Sequence, residues 1–431
     1  MKGPFTLKQD LITLPEIIEG EYYPGVFLIR FQKKLQEIMP CTNFTAEDIS
    51  TLVHEYMHFL QDISTQTGII YFRFYAELLH LYVYLGQKKN VFKLPVDLEN
   101  CGVENGFEQS ELLSMYMGSE EHLKIHHIDK IVTENEEVLE EFFARNNYLK
   151  DKPIQQVAIY YDDNKVKCYY FGGCCVRESM AYLIERMAFG CEERKHELPY
   201  NACEMICEKL CPELLGKPVL IVALCEIALM HCHSGLEFCC LVNHIADKQL
   251  KFNNVTELRN YFSDKVDFLY IDYSNALYNI DENIDFLFPI DFPYMRKVNE
   301  QVKSFLKRGH DRRMQNSLFI TDILLRKKPL FLIWKYINKI AMPLMVDCKS
   351  EIYGVADLQY MPIPMAVLEF LTHPESGCGL SRFGIKCGSS NYEEHICRTQ
   401  PWLQCAHNNE RCPFAAYLRY YKLDDKNFVI K

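Results

Sequence analysis

The word His54-Glu55-Tyr56-Met57-His58 constrains this chain more than any other feature. Two imidazoles four positions apart on a helix lie on one face, about 6 Å apart at Cβ. The neighbouring residues supply that helix: Ile49, Leu52, Val53, Tyr56, Met57 and Leu60 recur at helical spacing. Thr45-Ala46-Glu47-Asp48 resembles a capping box with Asp48 in the usual Glu or Gln position, so a helix is expected from Thr45 to about Ile63. On it both rings reach one tetrahedral ion. Glu55 points beside the open coordination position, where it can take a proton from metal-bound water. A catalytic zinc keeps three protein ligands, so a third must come from elsewhere in the chain.

Through this word the chain resembles the zincin metallopeptidases. The likeness spans about the first 250 residues and is carried by two short motif regions. In the glutamate-ligand branch of that superfamily, a Glu on a later helix is the third ligand, often in a Glu-x-x-Ala word. Glu178-Ser179-Met180-Ala181 matches that word, on a helix expected from Val176 to Phe189 after the break at Gly172-Gly173. The small Ala181 would let two helices approach closely. Tyr182 replaces the usual acidic residue after the Ala. The long separation from His58 requires residues 87–170 to be an insertion, as their polar composition suggests. Glu77 and Glu185 are alternative third ligands. The resemblance implies Zn2+ held by His54, His58 and Glu178, with Glu55 as general base. An anion-stabilising group should stand opposite that base; Tyr182, His231 and His233 are the candidates.

Charge and cysteine usage narrow the setting. With 58 acidic against 47 basic residues the formal net charge is -11, which argues against nonspecific nucleic-acid binding. No uninterrupted apolar core follows Met1, and the apolar run Pro218 to Met230 is interrupted by Glu226 and too short to span a bilayer. A cytoplasmic protein without a membrane partner is therefore expected. The 19 cysteines include no CxxC pair, and without an export signal free thiols or metal sites are favoured over disulfides. Cys203, Cys207 and Cys211 fall on one helical stripe and read as core packing. Cys378, Cys387, Cys397, Cys405 and Cys412, with His395 and His407, lie in a Gly-rich polar stretch expected to lack a core of its own. A second Zn2+ or an iron–sulfur cluster is expected there.

The expected fold class is α+β, predominantly helical: a zincin-like catalytic core over 1–255, a helical region over 256–369, and a Cys-rich segment over 370–431. Tyr22–Phe31 reads as a strand and Ile69–Leu85 as a helix. Helices are expected near Gln109–Tyr116 and Glu134–Phe143. Strands at Val157–Tyr161 and Val166–Phe171 flank the turn Asp162-Asp163-Asn164, and helices follow at 201–210, 218–232 and 235–247. The leading functional expectation is an intracellular zinc peptidase acting on a protein or peptide. The alternatives are a metal-dependent hydrolase of another bond, and a non-enzymatic regulatory protein whose tail contacts a partner. A purely structural site needs no base, so Glu55 favours the enzymes. Substrate and oligomeric state are not written in the sequence.

Overall fold

The structure, a computed structural model, describes residues 20–32, 46–89, 91–95, 116–125, 128–136, 154–161, 167–189, 197–325, 335–337, 339–353, 356–380, 383, 397, 400–402, 412–423 and 427–430. Among these the chain is mixed α+β and predominantly helical. No helix among the described residues is long and apolar enough to cross a membrane.

The first described residues form a hairpin, β1 (Gly20–Tyr23) and β2 (Leu28–Phe31), paired Gly20↔Phe31 to Tyr23↔Leu28. The single strand expected over Tyr22–Phe31 is thus two strands. Pro24-Gly25 turns the chain, with Gly25 at φ +77, a conformation that costs glycine little. Helix α1 (Ala46–Ser64) follows, and every residue from Leu52 to Ser64 is buried. A helix covered on all sides belongs at the centre of a fold, and α1 contacts β1, α2 (Gln66–Lys88) and two later helices. The Thr45 cap lies outside the described residues. The turn between the two helices is capped by Thr65, whose hydroxyl accepts the Gly68 N–H.

After β3 (Val91–Leu94) and β4 (Leu123–Lys124), three strands form an antiparallel sheet: β5 (Lys130–Glu136), β6 (Ile154–Tyr161) and β7 (Lys167–Phe171). The helix expected from Glu134 to Phe143 is contradicted at its start, where Lys130–Glu136 pair with Tyr160–Ile154; residues 137–143 lie outside the described set, as does nearly all of Gln109–Tyr116. Lys130-Ile131-Val132-Thr133 carries β-branched residues that a sheet accommodates better than a helix. Strand β7 runs directly into α3 (Gly173–Phe189), which packs along α1.

Beyond β8 (Glu197–Leu198), helices α4 (Ala202–Leu210), α5 (Pro218–Ala228) and α6 (Ser234–Asp247) complete the layer around α3. Next come α7 (Val255–Tyr261), α8 (Ser263–Tyr278), α9 (Asp281–Leu287), the long α10 (Arg296–Gln315) and the short α11 (Thr321–Leu324). A buried ion pair fastens this group to the end of α1. Arg313 is 1% exposed and Glu226 0%. The guanidinium meets the Glu226 carboxylate and donates to the Ser64 carbonyl (3.1 Å) and hydroxyl (3.0 Å). Glu226 also accepts from the Ile320 and Thr321 amides at 3.1 and 2.7 Å. Such a saturated pair is worth keeping intact, since removing one partner costs about 3–5 kcal/mol.

The chain closes with β9 (Leu344–Val346) parallel to β2, β10 (Ile352–Tyr353), α12 (Ile363–Thr372), α13 (Pro413–Tyr420), and β11 (Asn427–Ile430) parallel to β3. The expectation that the tail lacks a core is overturned. Leu380, Phe383, Phe414, Tyr417, Leu418 and Leu423 are buried in the same apolar cluster as α1 and α3.

Candidate metal centre

Helices α1 and α3 carry the site, and a buried ion pair sets their register. Arg177 Nη2 meets Asp62 Oδ1 at 2.7 Å, the Arg177 carbonyl accepts from Gln61 Nε2 at 3.1 Å, and the guanidinium lies 4.7 Å over the Tyr71 ring. Ala181 is fully buried. With the helices held this way, Glu178 faces the two imidazoles of α1.

The donor atoms of His54, His58 and Glu178 all lie within 4.8 Å of one another, the one such group among the described residues. His54 Nε2 is 3.1 Å from Glu178 Oε2, His58 Nε2 is 3.2 Å from Glu178 Oε1, and the two Nε2 atoms are 3.2 Å apart. Zinc–nitrogen bonds of about 2.0–2.1 Å in a tetrahedral site place neighbouring donors about 3.3–3.4 Å apart. The three donors thus sit close to one face of such a tetrahedron.

The opposite ring nitrogens explain why the Nε2 atoms point inward. His54 Nδ1 faces Glu185 Oε2 at 3.0 Å, and His58 Nδ1 faces Gln61 Oε1 at 3.0 Å. Gln61 shows its oxygen to His58 because its nitrogen is spent on the Arg177 carbonyl. Both partners are acceptors, so each Nδ1 carries the hydrogen and, in the neutral rings, each Nε2 presents a lone pair. In that neutral tautomer two lone pairs and a carboxylate converge on one point, an arrangement able to hold a cation. Glu185, an alternative third ligand by sequence, is instead the outer partner of His54, and its other oxygen accepts from Ser50. Glu77 pairs with Arg73 on α2.

Electrostatics follow from these contacts. Burial pushes Glu178 up, but His58 and His54 outweigh it and hold the carboxyl well below its usual range. Burial pulls His54 down, yet the hydrogen bonds to Glu178 and Glu185 hold it well above the ordinary imidazole value. Glu55 is 8% exposed. Its pKa is raised by burial, with Glu178 and Glu21 adding to the rise and His54 and His58 opposing it, which suits a proton acceptor working near neutrality. Strand β1 lies against it: a Cβ on Gly20 would stand 3.2 Å from Glu55 Cγ.

The remaining sequence candidates are distributed differently. Tyr182 packs beside Tyr200 (6.0 Å between ring centroids) and under Arg186. His233 caps α6 by accepting the Leu236 N–H, and its ring lies 5.1 Å from Tyr116. His231 Nδ1 accepts the His233 N–H at 3.0 Å. Cys397 and Cys412 are buried and Cys378 is half-buried; Cys387, Cys405, His395 and His407 lie outside the described residues.

Two site residues carry no sequence signal. Tyr200 stands 5.8 Å from the His54 ring, with burial, Glu178 and Glu55 all raising its pKa. His122 lies 5.1 Å from Tyr200 and pairs with Glu197 at 3.5 Å. Their proximity comes from the β4–β8 pairing, Leu123↔Leu198 and Lys124↔Glu197. The segment before β4 is held over the start of α3 by a contact only glycines permit: a Cβ on Gly172 would meet the Met117 carbonyl at 2.4 Å. Tyr200 itself is fixed from α3, because Ser179 donates to the Pro199 carbonyl at 3.0 Å and accepts from Cys203 N–H at 3.1 Å. Nothing in the residue types around Tyr200 announces this. It arises from the approach of two distant short strands. Tyr22, which stacks on His58 and donates to Asp62 at 2.9 Å, was read only as part of a strand.

No protein-family model, curated protein or solved structure matches this chain.

Proposed function

We propose that this chain is a zinc-dependent hydrolase of zincin type, in the glutamate-ligand branch, cleaving amide bonds of peptides or proteins. The observation that carries the reading is the convergence of His54 Nε2, His58 Nε2 and Glu178 at 3.1–3.2 Å with both Nδ1 atoms turned onto acceptors. His54, His58 and Glu178 would hold the ion. When bound it supplies Lewis acidity and makes water acidic enough to attack near neutral pH.

The chain's own groups do the rest. Glu55, next to His54 on α1, takes the proton of the attacking water as the C–O bond forms. It then passes that proton to the leaving nitrogen as the C–N bond breaks. The Tyr200 hydroxyl donates to the carbonyl oxygen as negative charge develops there, the role that Tyr182, His231 and His233 were expected to fill. Burial keeps that hydroxyl protonated and therefore a donor. Glu185 and Gln61 hold the imidazoles in the ligating tautomer, and the Asp62–Arg177 pair holds Glu178 against them.

Zinc-loaded protein and its Glu55→Gln variant, incubated with a complex peptide library and read by mass spectrometry, test this. The variant should keep its zinc and lose at least about 10²-fold in cleavage. Cleavage at the wild-type rate by Glu55→Gln, or no cleavage by zinc-loaded wild type, would overturn the proposal.

A further inference from the structure

One carboxylate near the metal centre has no structural task. Residues 116–121, ahead of β4, are pinned to the end of β7. The Ser119 N–H donates to the Tyr170 carbonyl at 2.8 Å, and the Tyr170 N–H donates to Ser119 Oγ at 3.1 Å. The Tyr169 hydroxyl reaches the carbonyls of Ser119 at 2.9 Å and Glu121 at 3.1 Å, so one phenol holds the backbone on both sides of Glu120. The Glu120 side chain is exposed. Among the described residues it has no hydrogen-bond or ion-pair partner. It stands close enough to Glu178, Arg177 and Cys174 on α3, and to the phenols of Tyr71 and Tyr75 on α2, to act on each electrostatically. The hairpin turn places Tyr75: Gly25, at φ +77, packs on its ring, where a Cβ would come 2.6 Å from Cδ2.

We propose that Glu120, with the phenols of Tyr71 and Tyr75, forms a subsite for a cationic group of the substrate, an ammonium or a guanidinium, beside the His54–His58–Glu178 centre; its place on a substrate rests on the hydrolase reading above. All three groups offer acceptors. An ionised carboxylate only accepts, and a neutral phenol keeps lone pairs beside its hydrogen. Burial, first among the causes, raises both phenols, so they stay neutral. An ammonium brings three hydrogens and a guanidinium five, and neither accepts. The ring faces add attraction for a cation.

Charge around the centre points the same way. The Arg177 guanidinium lies 4.7 Å over the Tyr71 ring, but its charge is matched by Asp62 at 2.7 Å. Glu178 and Glu55 together match a divalent ion, so Glu120 stays uncompensated. A carboxylate in that position repels an acidic substrate and attracts a basic one. Although its side chain is exposed, enough protein surrounds the Glu120 carboxyl for desolvation, and then the Glu178 charge, to raise its pKa. A cation bound there offsets both effects.

The test uses the zinc-loaded full chain and quenched fluorescent peptides in which a single Lys, Arg, norleucine or Glu is walked through an Ala-Gly background, each made with an acetylated and with a free N-terminus. At its best position the cationic peptide should exceed the norleucine peptide about 10-fold or more in kcat/KM, and the Glu peptide should be the poorest. The preference follows either the Lys or Arg side chain or, in the unacetylated series, the free α-amine, which separates the two sources of the cation. In both cases Glu120→Gln should lose most of the cation-to-norleucine ratio, and Glu120→Lys should turn the preference toward Glu. The same ratio in wild type and Glu120→Gln, or a wild-type preference for norleucine or Glu, overturns the proposal. A chain that is no hydrolase gives a different result: wild type cleaves none of the peptides. The subsite is then read by fluorescence anisotropy of the labelled peptides on the same protein. Tighter binding of the cationic peptide that Glu120→Gln abolishes supports it, and equal binding of the cationic and norleucine peptides overturns it.

Discussion

Replacing Glu185 exposes two opposite effects of one carboxylate. Its Oε2 lies 3.0 Å from His54 Nδ1 and its side chain is 27% exposed. In the proposed zinc site it is the outer partner of His54, fixing the ring and raising the basicity of Nε2. Losing such a partner weakens metal binding about 10–100-fold, or about 1.4–2.7 kcal/mol. The same carboxylate also helps Glu178 hold the His54 pKa well above its ordinary value, against burial. A protonated His54 carries hydrogen on both nitrogens, so zinc must displace one, and removing Glu185 relieves that competition. Near neutrality the two effects partly offset; in alkaline buffer only the loss of orientation remains. Glu185→Ala should therefore weaken zinc binding by the full factor of about 10–100 at high pH, and by less near neutrality. Its affinity should also climb less steeply with pH. Glu185→Gln should fall between, because an amide oxygen still accepts from Nδ1–H without bringing charge. Competition against a chromophoric chelator, repeated across pH, measures this. Affinities equal to wild type at every pH would refute the orienting role.

Tyr200→Phe should lower kcat about 10²–10³-fold with zinc content and KM unchanged, while Tyr182→Phe stays near wild type; the reverse ranking in steady-state kinetics moves the donor to Tyr182. Asp62→Ala strands the Arg177 charge, which is 6% exposed, and should cost about 3–5 kcal/mol in chemical denaturation; a loss below about 1 kcal/mol would mean solvent compensates the guanidinium. The metal-free protein has a pH signature of its own. The depressed Glu178 contributes stability above its ordinary value of 4.5, lost as pH falls through its folded pKa. The raised His54 contributes stability in full below 6.5, lost as pH rises through its folded pKa. Thermal melts in chelator should show the pair's contribution greatest between those values, and the extra stability from zinc should grow with pH. A pair contribution, measured against Glu178→Gln, that peaks outside that window contradicts the assignment.

Local periodicity made the two helices of the candidate site legible, and long-range approach hid their partners. Apolar spacing around the histidines placed a helix at 45–63, and the observed one is Ala46–Ser64. The helix bearing Glu178 was expected from Val176 and starts at Gly173. Both elements carry apolar residues at helical spacing within one segment, so one segment suffices to find them. The hairpin at Gly20–Phe31 had a visible sign in Pro24-Gly25, which interrupts the β-formers on either side. β5 was less visible: Glu134-Asn135-Glu136 is polar throughout, and its strand state depends on pairing with β6. In the tail, Phe414, Tyr417 and Leu418 fall at i, i+3 and i+4 after Pro413, a short amphipathic helix that the neighbouring cysteines and glycines obscured.

The outer contacts separate a ligating histidine from a packed one, and they were the least legible part of the site. His233 shows the ordinary alternative: its Nδ1 accepts an amide hydrogen to cap a helix, so its lone pair is already spent. In His54 and His58 the polarity is reversed. Each Nδ1 gives its hydrogen to an oxygen, and the lone pair that remains turns toward the other ring and toward Glu178. Gln61, three residues after His58, could have been foreseen from helix geometry alone. Glu185 could not, because its reach to His54 depends on how α3 crosses α1, and that crossing is set by Asp62 and Arg177. A shift of α3 by one residue along α1 would move a side chain about 1.5 Å along the axis. That is nearly half of the 3.1 Å between His54 and Glu178. The motif therefore supplies the donors of α1, while contacts that no motif contains, the Asp62–Arg177 pair and the Gln61–Arg177 hydrogen bond among them, bring Glu178 to meet them.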